Sequence, residues 1–294
     1  MTFHDAESYF EHEIWKLSNG LAPTRVAPHT PIFKFISINS DLSWARLEET
    51  IKTRILPAST ASSLNDPFDL QPSYVDDVSA KFLEDLSPRL LERLQGQDVV
   101  IRPEDIRTTA EAAKLRLVEL RAETKIISFS ARLDSTLLWS HYANGYRGAC
   151  LFFLKKLDRM GAFSEASRVF YSSQRPIYPL SLIAAIESER RASYMSERLR
   201  RLNVISNSIL HLTKAPDWSY EAEIRIVVPS YIKKDLIFDH EELHGIVVGP
   251  LCSSVDLDRI KTIKAAYLPT LRIFKSSIST SAFSVDVDWQ NAVA

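Results

Sequence analysis

Glycine is scarce in this chain, with 7 residues in 294. Neither the GxGxxG nor the GxxxxGK[ST] spacing occurs, which removes the usual glycine-rich phosphate loops. A nucleotide, if bound, must be held by another geometry. Cysteine is scarcer still. Cys150 and Cys252 are too few for a disulfide framework or a thiolate zinc site, and their apolar surroundings (ACLFF and GPLCS) suit buried, reduced thiols. No segment reaches the roughly 18 consecutive apolar residues of a membrane helix. The opening MTFHDAESYFEHEIW lacks both the basic and the apolar stretch of a secretory signal. A soluble, cytoplasmic protein with no membrane partner is the expectation. Charge of one sign is lacking too. Lys and Arg number 36 against 37 Asp and Glu, for a net charge of -1 and a pI near 6.7. Wholesale nucleic-acid binding usually needs a basic excess, so only a local patch remains open.

What is present is ordinary globular composition, 45 % hydrophobic and 25 % charged, which a chain of this length can fold around a core without metal or disulfide. Residues 1–30 form a lead-in ending in a proline-rich loop. Residues 31–294 are expected as a single α+β domain with helical insertions near 76–124 and 180–212. Apolar runs at Ile32–Ile36, Arg54–Ala58, Lys125–Ser130, Ala149–Leu154, Arg168–Tyr171, Ala222–Val228, Gly245–Gly249 and Leu271–Lys275 have the pattern of strands. Helices are expected at Asp41–Thr53, capped by Ser40 or Asp41, at Ser135–Asn144 with Gly145 in the left-handed position after it, and at Ala110–Arg121. Leucines between 83 and 94 recur at helical spacing, with Ser87-Pro88 suggesting two helices. Strands and helices alternate without glycine-rich turns, and helices gather in two blocks. That favours a mixed or antiparallel sheet over a doubly wound one.

Three motifs carry chemistry. Asn65-Asp66-Pro67-Phe68-Asp69 is turn-forming. It is either a structural turn with Phe68 plugging the core or a loop that presents Asn65 and Asp66 to a cleft. In Leu138-Trp139-Ser140-His141-Tyr142-Ala143, Trp139 and Tyr142 share a helix face. They are either core or a platform for a flat ring, and His141 is a candidate general base. In Trp218-Ser219-Tyr220-Glu221-Ala222-Glu223-Ile224-Arg225, strand alternation places Glu221, Glu223 and Arg225 on one face. Two like charges so close split their titration, and Arg225 would hold one ionised. The plain alternative is a Glu–Arg ladder on an exposed sheet face. The arginines at 190, 191, 198, 200 and 201 are either a solvated helix face or a contact for a polyanion.

These pieces, with Phe33-Lys34-Phe35, Ser128-Phe129-Ser130, Gly148 and Tyr171, occur in the order that resembles the DUF2971 family, bacterial proteins whose name brings no activity. The chain also resembles ADP-ribosyltransferases at the level of fold. Those enzymes have a basic first strand, a Ser-x-Ser or Tyr-bearing segment, and a late strand with Glu, often as Glu-x-Glu. That resemblance implies an ADP-ribosyltransferase-like fold and NAD as substrate. Lys34 would contact a phosphate or ribose, Ser128 and Ser130 would support the site, and Tyr142 or Trp139 would stack on the nicotinamide. Glu223 would stabilise the cation at the anomeric carbon, and Glu221 would orient a protein or nucleic-acid acceptor. Asn65, Asp66 and Arg225 complete the cofactor-binding set, and His141 joins the two glutamates as catalytic. Lys34 departs from the Arg or His usual on the first strand.

Two other readings stand beside this one. The aromatic and polar motifs suit a non-catalytic ligand- or partner-binding module in a bacterial stress or phage-defence setting. Asp66, Asp69, His141 and Glu223 are also the residue types of a metal-dependent hydrolase, but they show no recognised ligand spacing, and no metal site is expected.

Overall fold

The computed structural model describes residues 24–75, 103–122, 124–156, 161–191, 197–228 and 236–293. The leucine-rich segment 83–94 and most of the N-terminal lead-in lie outside these. The chain divides into two compact units. The first collects Met1–Thr24, Thr60–Thr124 and Phe170–Pro216, and the second collects Arg25–Ser59, Lys125–Val169 and Asp217–Ala294. Both segments expected as helical insertions fall in the first unit.

Among the described residues the main sheet has ten strands; beside the two-residue pieces Thr24–Arg25 and Ser59–Thr60, eight strands of the second unit build it. In chain order they are β1 (Pro31–Ile36), β2 (Lys125–Ser130), β3 (Ala149–Leu154), β4 (Ser167–Arg168), β5 (Glu223–Val228), β6 (Leu243–Val248), β7 (Ile273–Ile278) and β8 (Val285–Val293). Side by side they run β4-β5-β2-β1-β3-β6-β7-β8. All neighbours are antiparallel except β6 and β7, which are parallel. The protein is therefore α+β with a mixed, mostly antiparallel sheet. β1 pairs with β3 along its whole length but meets β2 only at Phe33–Ser130.

The central strands are apolar on both sides, as strands covered on two faces must be. One face supplies Ile32, Ile127, Phe129, Leu151, Phe153, Ile224, Ile226, Ile246 and Val248 to the larger core, which the helix Asp41–Thr53 (α1) joins through Trp44, Leu47 and Ile51. The other face packs Phe33, Cys150, Val247 and Phe274 with Trp139. Ser40 caps α1 reciprocally with Ser43, and Arg54 ends it in the left-handed region at φ 60°.

The helix Thr136–Tyr142 (α2) starts at Ser135, whose hydroxyl accepts the Leu138 N–H. It ends in three successive left-handed residues, Asn144, Gly145 and Tyr146. Gly148 then lies so close to the Ile36 and Ala143 carbonyls that a methyl would collide with both, and Gly249 sits equally close to the Tyr146 carbonyl. A third helix, Ser254–Tyr267 (α3), buries Ile260 and Ile263.

The first unit pairs Ser73–Val75 with Ile177–Pro179, and Phe170–Tyr171 with Thr213–Lys214, both in parallel. The helices Pro103–Ala122, Leu180–Arg191 and Glu197–His211 surround a core that includes Ala110, Leu182, Ile183, Leu199 and Leu202. The expected strand at 168–171 is thus two short strands, split at Val169. Arg200 and Arg201 are exposed and both pair with Glu197, which fits a solvated helix face.

Candidate functional site

Glu221 closes the 3₁₀ turn Pro216–Glu221, one step short of β5. Ala222 between them adopts φ 43°. Strand alternation therefore begins at Glu223, not at Glu221, and the expected single-face trio reduces to Glu223 and Arg225. These two are buried, with 3 % and 1 % of the side chain exposed. Arg225 grips Glu223 with two parallel bonds, Nε to Oε1 at 2.6 Å and Nη2 to Oε2 at 3.1 Å, the strong planar form of this pair. The exposed Glu–Arg ladder is not what forms.

Glu221 is also buried, and the Tyr142 hydroxyl donates to its Oε1. The Ser130 hydroxyl donates to the Glu221 carbonyl at 2.6 Å and accepts the Arg132 N–H at 2.9 Å. Ala131 N–H donates to the Ala222 carbonyl. The end of β2 and the turn before β5 are thus tied at two points, with Glu221 at the knot. Around it stand exposed His141 and half-buried Tyr142, with ring centroids 6.4 Å apart. Tyr220 lies 6.3 Å from the His141 ring, and Trp218 6.1 Å from Tyr220. A carboxylate among aromatic rings is suited to a flat cation.

Lys34 is one residue out of register with this set. Phe33 pairs with Ser130, and Ser130 with Glu223, so the Lys34 side chain leaves from the opposite face. Its amine donates to the Ser128 carbonyl at 3.1 Å and sits 5.3 Å from the Phe129 ring centre. Burial pushes its pKa down from 10.5 to about 8, against the opposing pull of Glu223 and then Cys150. Ser128 is in register with Arg225.

Trp139 is fully buried. Its indole N–H donates to the Leu133 carbonyl at 2.7 Å, and Phe35 meets it edge-on at 5.0 Å. It is core, and only Tyr142 of the expected pair is placed to meet a ligand. Asn65 and Asp66 belong to the first unit. Asp66 closes the expected turn, with Oδ1 accepting the Phe68 N–H at 2.9 Å and its carbonyl accepting the Asp69 N–H at 3.1 Å. Phe68 does not plug the core, because it is 60 % exposed.

No group of three His, Cys, Asp or Glu side chains able to hold a metal occurs among the described residues. The sequence does contain the letters HExxH, at His240-Glu241-Glu242-Leu243-His244. Metal binding by that motif needs both histidines on one helix face. Here the run is a turn entering β6. Glu241 pairs with Lys156 at 3.1 Å, and His244 lies against Phe152 and Arg272. Cys150 is buried and Cys252 partly so, and burial raises both thiols, Cys252 to about 11. No described helix is long and apolar enough to cross a membrane.

The family described as "Protein of unknown function (DUF2971)" matches residues 138–226. The match runs from α2 into β5 and takes in Trp139, His141, Tyr142, Gly148, Tyr171, Glu221, Glu223 and Arg225. Lys34, Asn65, Asp66, Ser128 and Ser130 lie outside it. No match was found among curated proteins or among solved structures.

Proposed function

Taking residues 138–226 as a DUF2971 segment, we propose that this chain cleaves NAD and transfers its ADP-ribose, with Glu221 as the working carboxylate. The single observation that supports this reading is the adjacency of β5, β2 and β1 in the sheet. The three sequence elements of the ADP-ribosyltransferase resemblance ride on or beside neighbouring strands, although residues 34, 128–130 and 221–223 are far apart in the chain. This reading exchanges the roles expected of the two glutamates. Glu223 is committed to Arg225, whereas Glu221 stands among Tyr142, His141 and Tyr220.

In the proposed reaction the bond between the anomeric carbon and the nicotinamide nitrogen breaks. Nicotinamide leaves with the bonding pair, so the positive charge passes from its ring to the ribose. The Glu221 carboxylate stabilises that charge where it develops, while Tyr142 fixes its orientation. A hydroxyl of water or of an acceptor then adds to the anomeric carbon and releases its proton, for which His141 is the exposed base. Lys34 acts from behind β2 as a support of the strand junction.

The test is nicotinamide release from NAD by the full chain beside Glu221→Gln. Turnover in the wild type and a loss of about a hundredfold or more in the variant, the scale of removing a transition-state partner, are expected. Absence of turnover in well-folded wild type sinks the reading. A second reading, the non-catalytic binding module of a stress or defence system, draws on the buried, two-bond pairing of Glu223 with Arg225. It predicts a melting shift with NAD or another nucleotide and no chemistry.

A further inference from the structure

A cavity of about 140 Å³ lies within the first unit. Its walls are the Asp66 turn, the segment 172–176, and Leu210 with Thr213–Ala215. It is smaller than the roughly 300 Å³ at which pockets for drug-sized ligands begin, so it has room for one ring system and not for a dinucleotide. Thr213 is 93 % buried, and its hydroxyl oxygen has no hydrogen-bond partner among the described residues. A buried hydroxyl without a partner costs stability and is uncommon in native proteins, which points to a partner that arrives with a ligand. Asp66, also buried, spends Oδ1 on the Phe68 N–H, and no described residue donates to Oδ2. At the same wall the Arg175 guanidinium lies 4.9 Å from the centre of the exposed Phe68 ring, a flat surface of the kind on which aromatic rings stack.

We propose that this cavity binds a flat heteroaromatic ring with an exocyclic amine, the chemistry of an adenine or cytosine base. The amine donates to Asp66, a ring nitrogen accepts from the Thr213 hydroxyl, and the ring lies beside Phe68 and Arg175. This site is separate from Glu221 and does not depend on NAD cleavage.

The experiment is calorimetric titration of the full chain with adenosine and cytidine, and with uridine as a probe lacking the amine, alongside thermal melts. Adenosine or cytidine is expected to bind, and uridine about tenfold or more weaker. Thr213→Val keeps the branched shape and removes the hydroxyl. It is expected to weaken binding about tenfold while the ligand-free protein melts higher, because the orphaned group is gone. Phe68→Ala should weaken binding without lowering the melting temperature, and Glu221→Gln should leave binding unchanged. The proposal is overturned if none of the three nucleosides binds, if uridine binds as well as the others, or if both cavity variants bind as wild type does. It is also overturned if ligand-free Thr213→Val melts lower, since the hydroxyl then has a structural partner.

Discussion

The Glu223–Arg225 pair shows how far a residue pattern can be read. Alternation by two puts both on one face, and they do meet. Their burial is not written in that spacing, because a strand covered on both faces and one bordering solvent can carry the same pair of letters. Burial changes the energetics. Removing one partner strands a charge in the interior, so Glu223→Gln or Arg225→Met is expected to cost about 3–5 kcal/mol in urea denaturation. Replacing both with apolar residues should recover most of that loss. Lys34 has the opposite signature. Its folded pKa of about 8 lies below its ordinary 10.5, so between those values the unfolded chain binds the extra proton. Stability then rises with pH across that window, by no more than about 3 kcal/mol. Lys34→Met should abolish that part of the rise, measured as the difference between the two proteins' stabilities at pH 7.5 and pH 10.5.

Among elements, those with strong local signals were legible. β2 and β3 fall at Lys125–Ser130 and Ala149–Leu154, as their apolar runs suggest. α1 spans the expected Asp41–Thr53, because Ser40 offers a hydroxyl before a stripe of Trp44, Leu47 and Ile51. Ser40→Ala should lower stability by about 1 kcal/mol in thermal melts, the usual worth of such a cap. α3 escaped notice because only Ile260 and Ile263 of its 14 residues are buried, too narrow a stripe to announce a helix. β8 escaped because an edge strand with mostly exposed side chains has no buried face to impose a pattern. As a result, the run Leu271–Lys275 proved to be a neighbour of β8 and not the last strand.

For the molecule as a whole, the α+β class and the mixed sheet followed from where helices and strands cluster in the chain. The division of site residues did not. Asn65 and Asp66 read as companions of Glu221 in sequence order, yet they belong to a unit assembled from three separated stretches. Two of those stretches are joined by the pairing of Ser73–Val75 with Ile177–Pro179, and the pairing of Phe170–Tyr171 with Thr213–Lys214 closes the last stretch on itself. Strands of two or three residues are too short for periodicity to reveal, and parallel partners distant in the chain leave no turn signal between them.

The position of Tyr142 has a further consequence, seen from descent rather than from mechanics. The loop after α2 is locked by backbone contacts that only Gly148 and Gly249 permit, and neither glycine can touch a ligand with a side chain it does not have. A lineage is therefore free to exchange the aromatic residues around Glu221 and so drift toward a new specificity. It is not free to give either glycine a side chain without moving the tyrosine, so the two most anonymous residues near the site are among those that inheritance can least afford to vary.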